Sequence, residues 1–108
     1  MSVSDRVLAF YRDLPFNQRD SVDSAVANVK AHDPVRTYPP LKKLVARQAV
    51  LEIGSGVGWF SNGLAYHHRS QCLGIDLNPV AVQRAQEVAT ELKVSTQFEV
   101  ANLFEFVP

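Results

Sequence analysis

Three glycines and two acidic side chains are the residues of this chain whose types and spacing could support chemistry. The glycines stand at alternate positions, Gly54, Gly56 and Gly58, directly after a short aliphatic run. Glycine adopts positive φ without steric cost and leaves the backbone bare enough for a ligand to lie against it. Glu52 precedes the first glycine by two positions, and Asp76 follows the last one by 18. A carboxylate at that separation suits the ribose hydroxyls of a nucleotide-like ligand.

The residues around the glycines predict a strand, a turn and a helix. Val50, Leu51 and Ile53 suit a buried parallel strand, which we place at residues 49–53. The amphipathic residues after the turn predict a helix over residues 57–68. The amino-terminus of such a helix offers unpaired N–H groups to an anionic or polar ligand. This arrangement is the start of a nucleotide-binding βαβ unit.

The following residues repeat the alternation of strand and helix. A second strand is predicted at residues 71–76, where Asp76 ends it. Asn78 is a natural N-cap and Pro79 a natural first helical residue, so a second helix is predicted to run to about Leu92. A third strand is predicted at residues 96–100. The fold class is therefore α/β.

The residues before the first strand predict helices at about 3–14, 20–31 and 40–46. In the last of these helices, Leu41, Leu44 and Val45 are predicted to point inward. We divide the chain into an amino-terminal helical segment, residues 1–47, and a cofactor-binding half-domain, residues 48–108.

Two motifs resemble those of a known family. They read Glu52-Ile53-Gly54-Ser55-Gly56-Val57-Gly58 and Gly74-Ile75-Asp76-Leu77-Asn78-Pro79. Together they resemble the cofactor motifs of class I S-adenosylmethionine (SAM)-dependent methyltransferases, over about residues 50–106. The resemblance implies a Rossmann-like parallel sheet, SAM as the cofactor, and transfer of its methyl group to an acceptor that the sequence does not identify. Catalytic residues are unknown, since no residue resembles a dedicated general base.

The resemblance also implies a role for particular residues. The turn would lie against the amino-acid end of SAM, and Asp76 would bind the ribose. Glu52 would hold the turn and the polar groups on the methionine side, and Leu77 would pack on the adenine. Asn102 stands where the family often carries an acidic residue that accepts from the adenine amino group. The predicted cofactor-binding set is Glu52, Gly54, Ser55, Gly56, Gly58, Asp76, Leu77, Asn102 and the backbone N–H of Leu103.

Two other functions compete with methyl transfer. A nicotinamide- or flavin-dependent oxidoreductase would carry Gly-x-Gly-x-x-Gly, but here the third glycine, Gly58, comes one position early and Trp59 occupies the sixth position. A non-catalytic SAM- or nucleotide-binding module, or a scaffold, stays open, because only strands one to three of the family's seven-stranded sheet are present. We therefore expect the amino-terminal part of a longer enzyme. The unpaired edge of the first strand is expected to pair with another copy or to lie under the amino-terminal helices.

Composition argues against several other classes of protein and of binding site. A chain of 108 residues suits one small domain, and its 11 basic and 11 acidic residues leave no net charge to attract nucleic acid or an anionic membrane. The single cysteine, Cys72, allows no intrachain disulfide and no cysteine metal cluster, and no metal site is expected. No apolar run is long enough for a bilayer span, and no signal peptide is recognisable, so a cytoplasmic location is expected.

Overall fold

Three parallel strands form the sheet of the computed structural model, which describes residues 18–102 and residue 104. The strands are β1 (Ala49–Ile53), β2 (Gln71–Asp76) and β3 (Gln97–Val100), in the order β1-β2-β3. Ala49 pairs with Gln71, and β3 follows β2 in the same direction. The α/β class and the bounds of β1 and β2 are confirmed, whereas β3 begins one residue later than predicted.

Four helices accompany the sheet. They are α1 (Gln18–Ala31), α2 (Pro39–Val45), α3 (Trp59–His68) and α4 (Pro79–Leu92). The helix predicted at residues 3–14 lies outside the described residues.

Local residues set where α3 and α4 begin. The side chain of Asn78 accepts a hydrogen bond from the N–H of Val80, and Pro79 opens α4, as predicted. Helix α3 begins two residues later than predicted, because Gly58 at its N-cap adopts a left-handed conformation with φ of 82°. The extra residues therefore belong to the turn after β1.

The helices pack on one face of the sheet and on each other. Val50, Cys72 and Phe98 belong to the sheet face that carries the core. Helix α1 packs on α4 through a cluster formed by Val22, Val29, Val88 and Leu92, and it also contacts α3. The apolar residues that recur at helical spacing along α4 are buried, namely Val82, Ala85, Val88, Ala89 and Leu92.

One inward prediction is wrong. Leu44 is 71% exposed, although its neighbour Val45 is buried and Leu41 packs on the same cluster. Leu41 and Val45 are four residues apart and lie above one another on α2, so this seven-residue helix meets the core along that single line. Leu44 lies to one side of it.

The opposite face of the sheet remains partly open. Leu51 and Ile53 point to that face and are 45% and 53% exposed, while Ile75 beside them is buried. Within residues 18–102, β1 pairs only with β2, so its outer edge carries no strand. The expectation that another copy or the amino-terminal helices cover this edge stays a prediction. Across the described part of the chain, no helix has both the length and the apolar character needed to cross a bilayer.

Candidate functional site

The turn after β1 is fixed to the end of β2. The N–H groups of Gly54 and Ser55 both donate to the carbonyl oxygen of Ile75, each at 2.9 Å. The three glycines have φ values of 72°, 55° and 82°, which are strained for other residues. The predicted glycine turn therefore stands at the carboxyl end of the sheet, where open α/β sheets bind their ligands.

The glycines differ in what surrounds them. A Cβ atom added to Gly54 or Gly56 would meet nothing within 4 Å. A Cβ added to Gly58 would lie 2.6 Å from Cζ of Phe98 and 2.7 Å from Cβ of Ala85. Gly54 and Gly56 therefore border open space, while Gly58 lets the start of α3 pack closely against β3 and α4. The prediction that the backbone of Gly58 also contacts a cofactor remains a prediction.

The carboxylate of Asp76 is directed at the glycine turn. Its Oδ2 accepts from the N–H of Gly56 at 2.8 Å, and its Oδ1 accepts from the N–H of Asn78 at 2.9 Å. A carboxylate has about four acceptor positions, so these two bonds leave about two for a ligand. Asp76 is half-buried, which lets it hold the turn and face a ligand as well.

Glu52 lies on the sheet face that α3 covers, two residues before Gly54. The hydroxyl of Ser61 donates to its Oε1 at 2.6 Å. Burial raises the pKa of Glu52; the hydroxyl of Ser61 and the nearby backbone of Ser61 act against this rise, and the charge of Asp76 adds to it. Ser61 was not among the residues predicted from the sequence. The available signal was a serine in the first turn of the helix that follows the glycines, since such a residue lies beside the end of the preceding strand.

The ends of β2 and β3 come together beside this turn. The N–H of Ala101 donates to the carbonyl oxygen of Asp76 at 2.9 Å, which brings Asn102 and Leu77 to neighbouring strand ends. The side-chain oxygen of Asn102 accepts from the N–H of Phe104 at 3.0 Å, and Phe104 is 94% exposed. An amide oxygen has two lone pairs, so one remains for a ligand. Leu103 lies outside the described residues.

Ser55 completes the turn with an unused polar group. The residue is buried, and its hydroxyl has no hydrogen-bond partner among the residues that the structure describes. Its Cβ lies where a side chain on Gly74 would stand, at 2.8 Å from a Cβ added there. A buried hydroxyl without a partner is costly unless something else, such as a ligand, satisfies it.

The two histidines at the end of α3 have structural partners. Nε2 of His67 lies 2.7 Å from the carbonyl oxygen of Val29, and Nε2 of His68 lies 2.7 Å from Oδ1 of Asp33. Both histidines thus tie α3 to α1 and to the residues after it. Burial, and then the charge of Glu52, raises the pKa of the Cys72 thiol to about 11, so it is an unreactive core residue at neutral pH. The described residues contain no group of three or more potential metal ligands.

Comparison with known proteins yields a family match. The sequence profile described as a methyltransferase domain matches residues 50–108. A candidate protein N5-glutamine methyltransferase of Methanocaldococcus jannaschii is 41% identical over 69 residues, which cover 62% of this chain and 35% of that protein. A protein assigned as a chloroplastic tocopherol O-methyltransferase of Oryza sativa is 35% identical over 60 residues, covering 54% of this chain and 17% of that protein. The chain thus spans about a third or less of the length of these curated relatives.

The fold is also found among solved structures. An RNA methyltransferase of Salinibacter ruber, crystallised with S-adenosylhomocysteine (SAH), superimposes with a TM-score of 0.57 and 23% sequence identity. The match covers 86% of this chain and 53% of that one. The arrangement of strands and helices described above is therefore shared with a methyltransferase.

Proposed function

Because the chain belongs to the methyltransferase domain family, we propose that it is the SAM-binding part of a SAM-dependent methyltransferase. Family membership confirms the resemblance drawn from the two sequence motifs. One observation carries the functional step: Gly54 and Gly56 border open space, and the carboxylate of Asp76 is directed toward the same turn. This combination offers a bare backbone and a charged acceptor to one ligand.

The groups of SAM fit the polar atoms that the site leaves unused. The amino-acid end lies along Gly54 and Gly56, where backbone atoms and the buried hydroxyl of Ser55 can meet its carboxylate and ammonium. The remaining acceptor positions of Asp76 take the ribose hydroxyls. The adenine lies between Leu77 and Asn102, whose amide oxygen accepts from the amino group. SAH bound to the Salinibacter ruber enzyme, which shares this fold, supports the same assignment.

Methyl transfer asks little covalent chemistry of the protein. The sulfonium of bound SAM makes its methyl group electrophilic, so the protein has to align the acceptor and the methyl carbon. The residues of this chain do that by fixing the cofactor: the turn holds the amino-acid end, and Asp76 holds the sugar. None of the residues described at the site is placed as a general base. The methyl acceptor is unidentified, and the role proposed for these 108 residues is to bind the cofactor.

A non-catalytic SAM- or nucleotide-binding module is the second candidate, because the chain spans only part of its relatives. Such a module would bind SAH in the same way and would transfer no methyl group in any longer form of the protein. An assay for release of SAH from SAM in the presence of acceptor mixtures distinguishes the two functions, because only a methyltransferase would release SAH. The cytoplasmic location stays a prediction that cell fractionation would test.

Calorimetric titration with SAM, SAH and NAD tests the cofactor assignment. We expect saturable binding of SAM and SAH and none of NAD. Asp76→Asn should weaken SAH binding by about tenfold or more, because a charged acceptor for the ribose is lost. Saturable NAD binding without SAM or SAH binding would overturn the proposal.

Asp33→Asn is the matched control for this titration. Asp33 also accepts a hydrogen bond from the N–H two residues further on, at 3.0 Å, but it is paired with His68 at the far end of α3. Its substitution should lower stability and leave SAH affinity unchanged. Equal losses of affinity in both variants would show that Asp76 acts through the fold and not through the ligand.

A further inference from the structure

Ser61 holds Glu52 by a short hydrogen bond. The serine is fully buried in the first turn of α3, and its hydroxyl donates at 2.6 Å to the carboxylate of Glu52, the next-to-last residue of β1. The amino-terminal end of a helix also favours a negative charge placed beside it. Glu52 is thereby fixed between β1 and the start of α3.

The position at which Glu52 is fixed lies beside the proposed cofactor site. Gly54, which borders the open space, follows by two residues, and the charge of Asp76 acts on Glu52 from the end of β2. Within the described residues, the ionisable groups coupled to Glu52 are Asp76 and Cys72, both on β2. The thiol of Cys72 stays neutral in the physiological range, so no cation in this set neutralises the two carboxylates.

We propose that Ser61 is a positioning residue for the cofactor: it holds Glu52 so that the acceptor positions left on the carboxylate receive the ammonium of the cofactor's amino-acid end. This inference rests on the proposed function. Ser61 itself touches no ligand; it acts through Glu52. If Ser61 only stabilised the fold, it would make the same hydrogen bond to Glu52. Removing that bond would then affect ligands with and without the ammonium to the same extent.

The hydroxyl of Ser61 also favours the charged form of Glu52. Removing the hydroxyl removes one of the influences that act against burial and against Asp76, so the pKa of Glu52 rises further. An ammonium needs a charged partner. SAH affinity should therefore increase as pH rises through the pKa of Glu52, and in Ser61→Ala this increase should occur at higher pH.

The test measures binding of two ligands by calorimetry between pH 5 and pH 8, using the whole chain. SAH carries the amino-acid end, and 5′-methylthioadenosine lacks it. Ser61→Ala should weaken SAH binding about tenfold at the acidic end of the range, as expected for loss of a hydrogen bond to a charged group. It should leave the affinity for 5′-methylthioadenosine unchanged and move the pH midpoint of SAH binding upward.

Ser70→Ala is the matched control. Ser70 is also a buried serine whose hydroxyl donates at 2.6 Å, but its acceptor is the backbone carbonyl of Val45, away from the glycine turn. This variant should be destabilised to a similar extent and should keep the wild-type affinity and pH midpoint for SAH. If Ser61→Ala does not fold, Ser61→Cys keeps nearly the same shape with a weaker donor and should shift the midpoint in the same direction.

The outcomes separate this inference from the proposed function. If the wild-type chain binds neither ligand, the proposed function fails. If it binds both, and the Ser61 variants lose equal affinity for both ligands or keep the wild-type pH midpoint, the positioning role is refuted while the proposed function stands.

Discussion

The contrast between Gly56 and Gly58 can be turned into a quantitative prediction. Both residues have positive φ, so alanine at either position costs roughly 1–2 kcal/mol of backbone strain. At Gly58 the new methyl group would also collide with Phe98 and Ala85, at 2.6 Å and 2.7 Å. Overpacking of this kind costs about 1–3 kcal/mol. Gly58→Ala should therefore be less stable than Gly56→Ala by about 1–3 kcal/mol.

Ligand binding should respond in the opposite order. A methyl group on Gly56 meets no protein atom within 4 Å and projects into the space assigned to the cofactor. A steric clash of this methyl group with the ligand, at the same cost as overpacking in the protein, would weaken SAH binding by about tenfold to a hundredfold. Gly58→Ala should bind SAH with an affinity closer to the wild type, wherever it is folded.

Urea denaturation followed by circular dichroism measures the stabilities, and calorimetry with SAH measures the affinities. Gly63→Ala is the control for overpacking without backbone strain. Gly63 lies in α3 and is not among the residues with positive φ, and a Cβ added to it would lie 2.8 Å from Cγ of Pro34. It should lose stability and keep SAH affinity. If Gly56→Ala and Gly58→Ala are equally stable, or if Gly56→Ala binds SAH as the wild type does, the division of roles between the glycines is wrong.

Three further predictions concern charge, the strand edge and assembly. The pKa of Glu52 is higher in the folded state than in the unfolded chain, so its ionisation makes the free energy of unfolding decrease as pH rises from 4.5 through the raised pKa. Urea denaturation from pH 4 to 8 should show that Glu52→Gln removes this part of the decrease. The same dependence of stability on pH in the wild type and in Glu52→Gln would contradict this prediction. Gln86 donates to the carbonyl oxygen of Thr96, just before β3, and accepts from the N–H of Phe98 in β3, at 3.3 Å each. Gln86→Leu should therefore cost about 1–3 kcal/mol and increase light scattering, unlike Gln83→Leu on the same helix. The open face and edge of β1 should associate two copies, so sedimentation should show a dimer that Leu51→Lys dissociates, and a monomer at every concentration would exclude it.

Much of the fold could be predicted from local signals. The aliphatic run of β1 identifies a strand without reference to distant residues, and its bounds agree with the structure. The predicted burial of this strand is wrong, because its residues alternate between exposed and half-buried on a sheet whose second face is open. Helix α4 was predicted correctly because Asn78 and Pro79 supply both the cap and the first residue. By contrast, the start of α3 depends on the left-handed conformation of Gly58, which glycine permits but does not impose. Its start was therefore predicted two residues early.

The sequence predicts which residues form the candidate site, but only some of the contacts that these residues make. The sequence identified Gly54, Gly56 and Asp76, and the structure brings them together at one turn. It could not separate Gly58 from the other two, because the close contacts of Gly58 come from Ala85 and Phe98, which lie far along the chain. Contacts between residues so distant in sequence depend on the packing of α4 and β3, which no local pattern specifies.

The proximity of two carboxylates at the site suits a ligand that carries positive charge. Glu52 and Asp76 lie near the ends of neighbouring strands. Burial raises the pKa of Glu52 and the charge of Asp76 adds to this rise, so the two carboxylates repel each other in the unliganded protein. SAM brings an ammonium and a sulfonium close to this pair, which would relieve the repulsion at the moment of binding. The repulsion therefore favours a cationic ligand over a neutral nucleoside of the same shape, and the hydroxyl of Ser61 favours the charged form of Glu52 on which this preference depends.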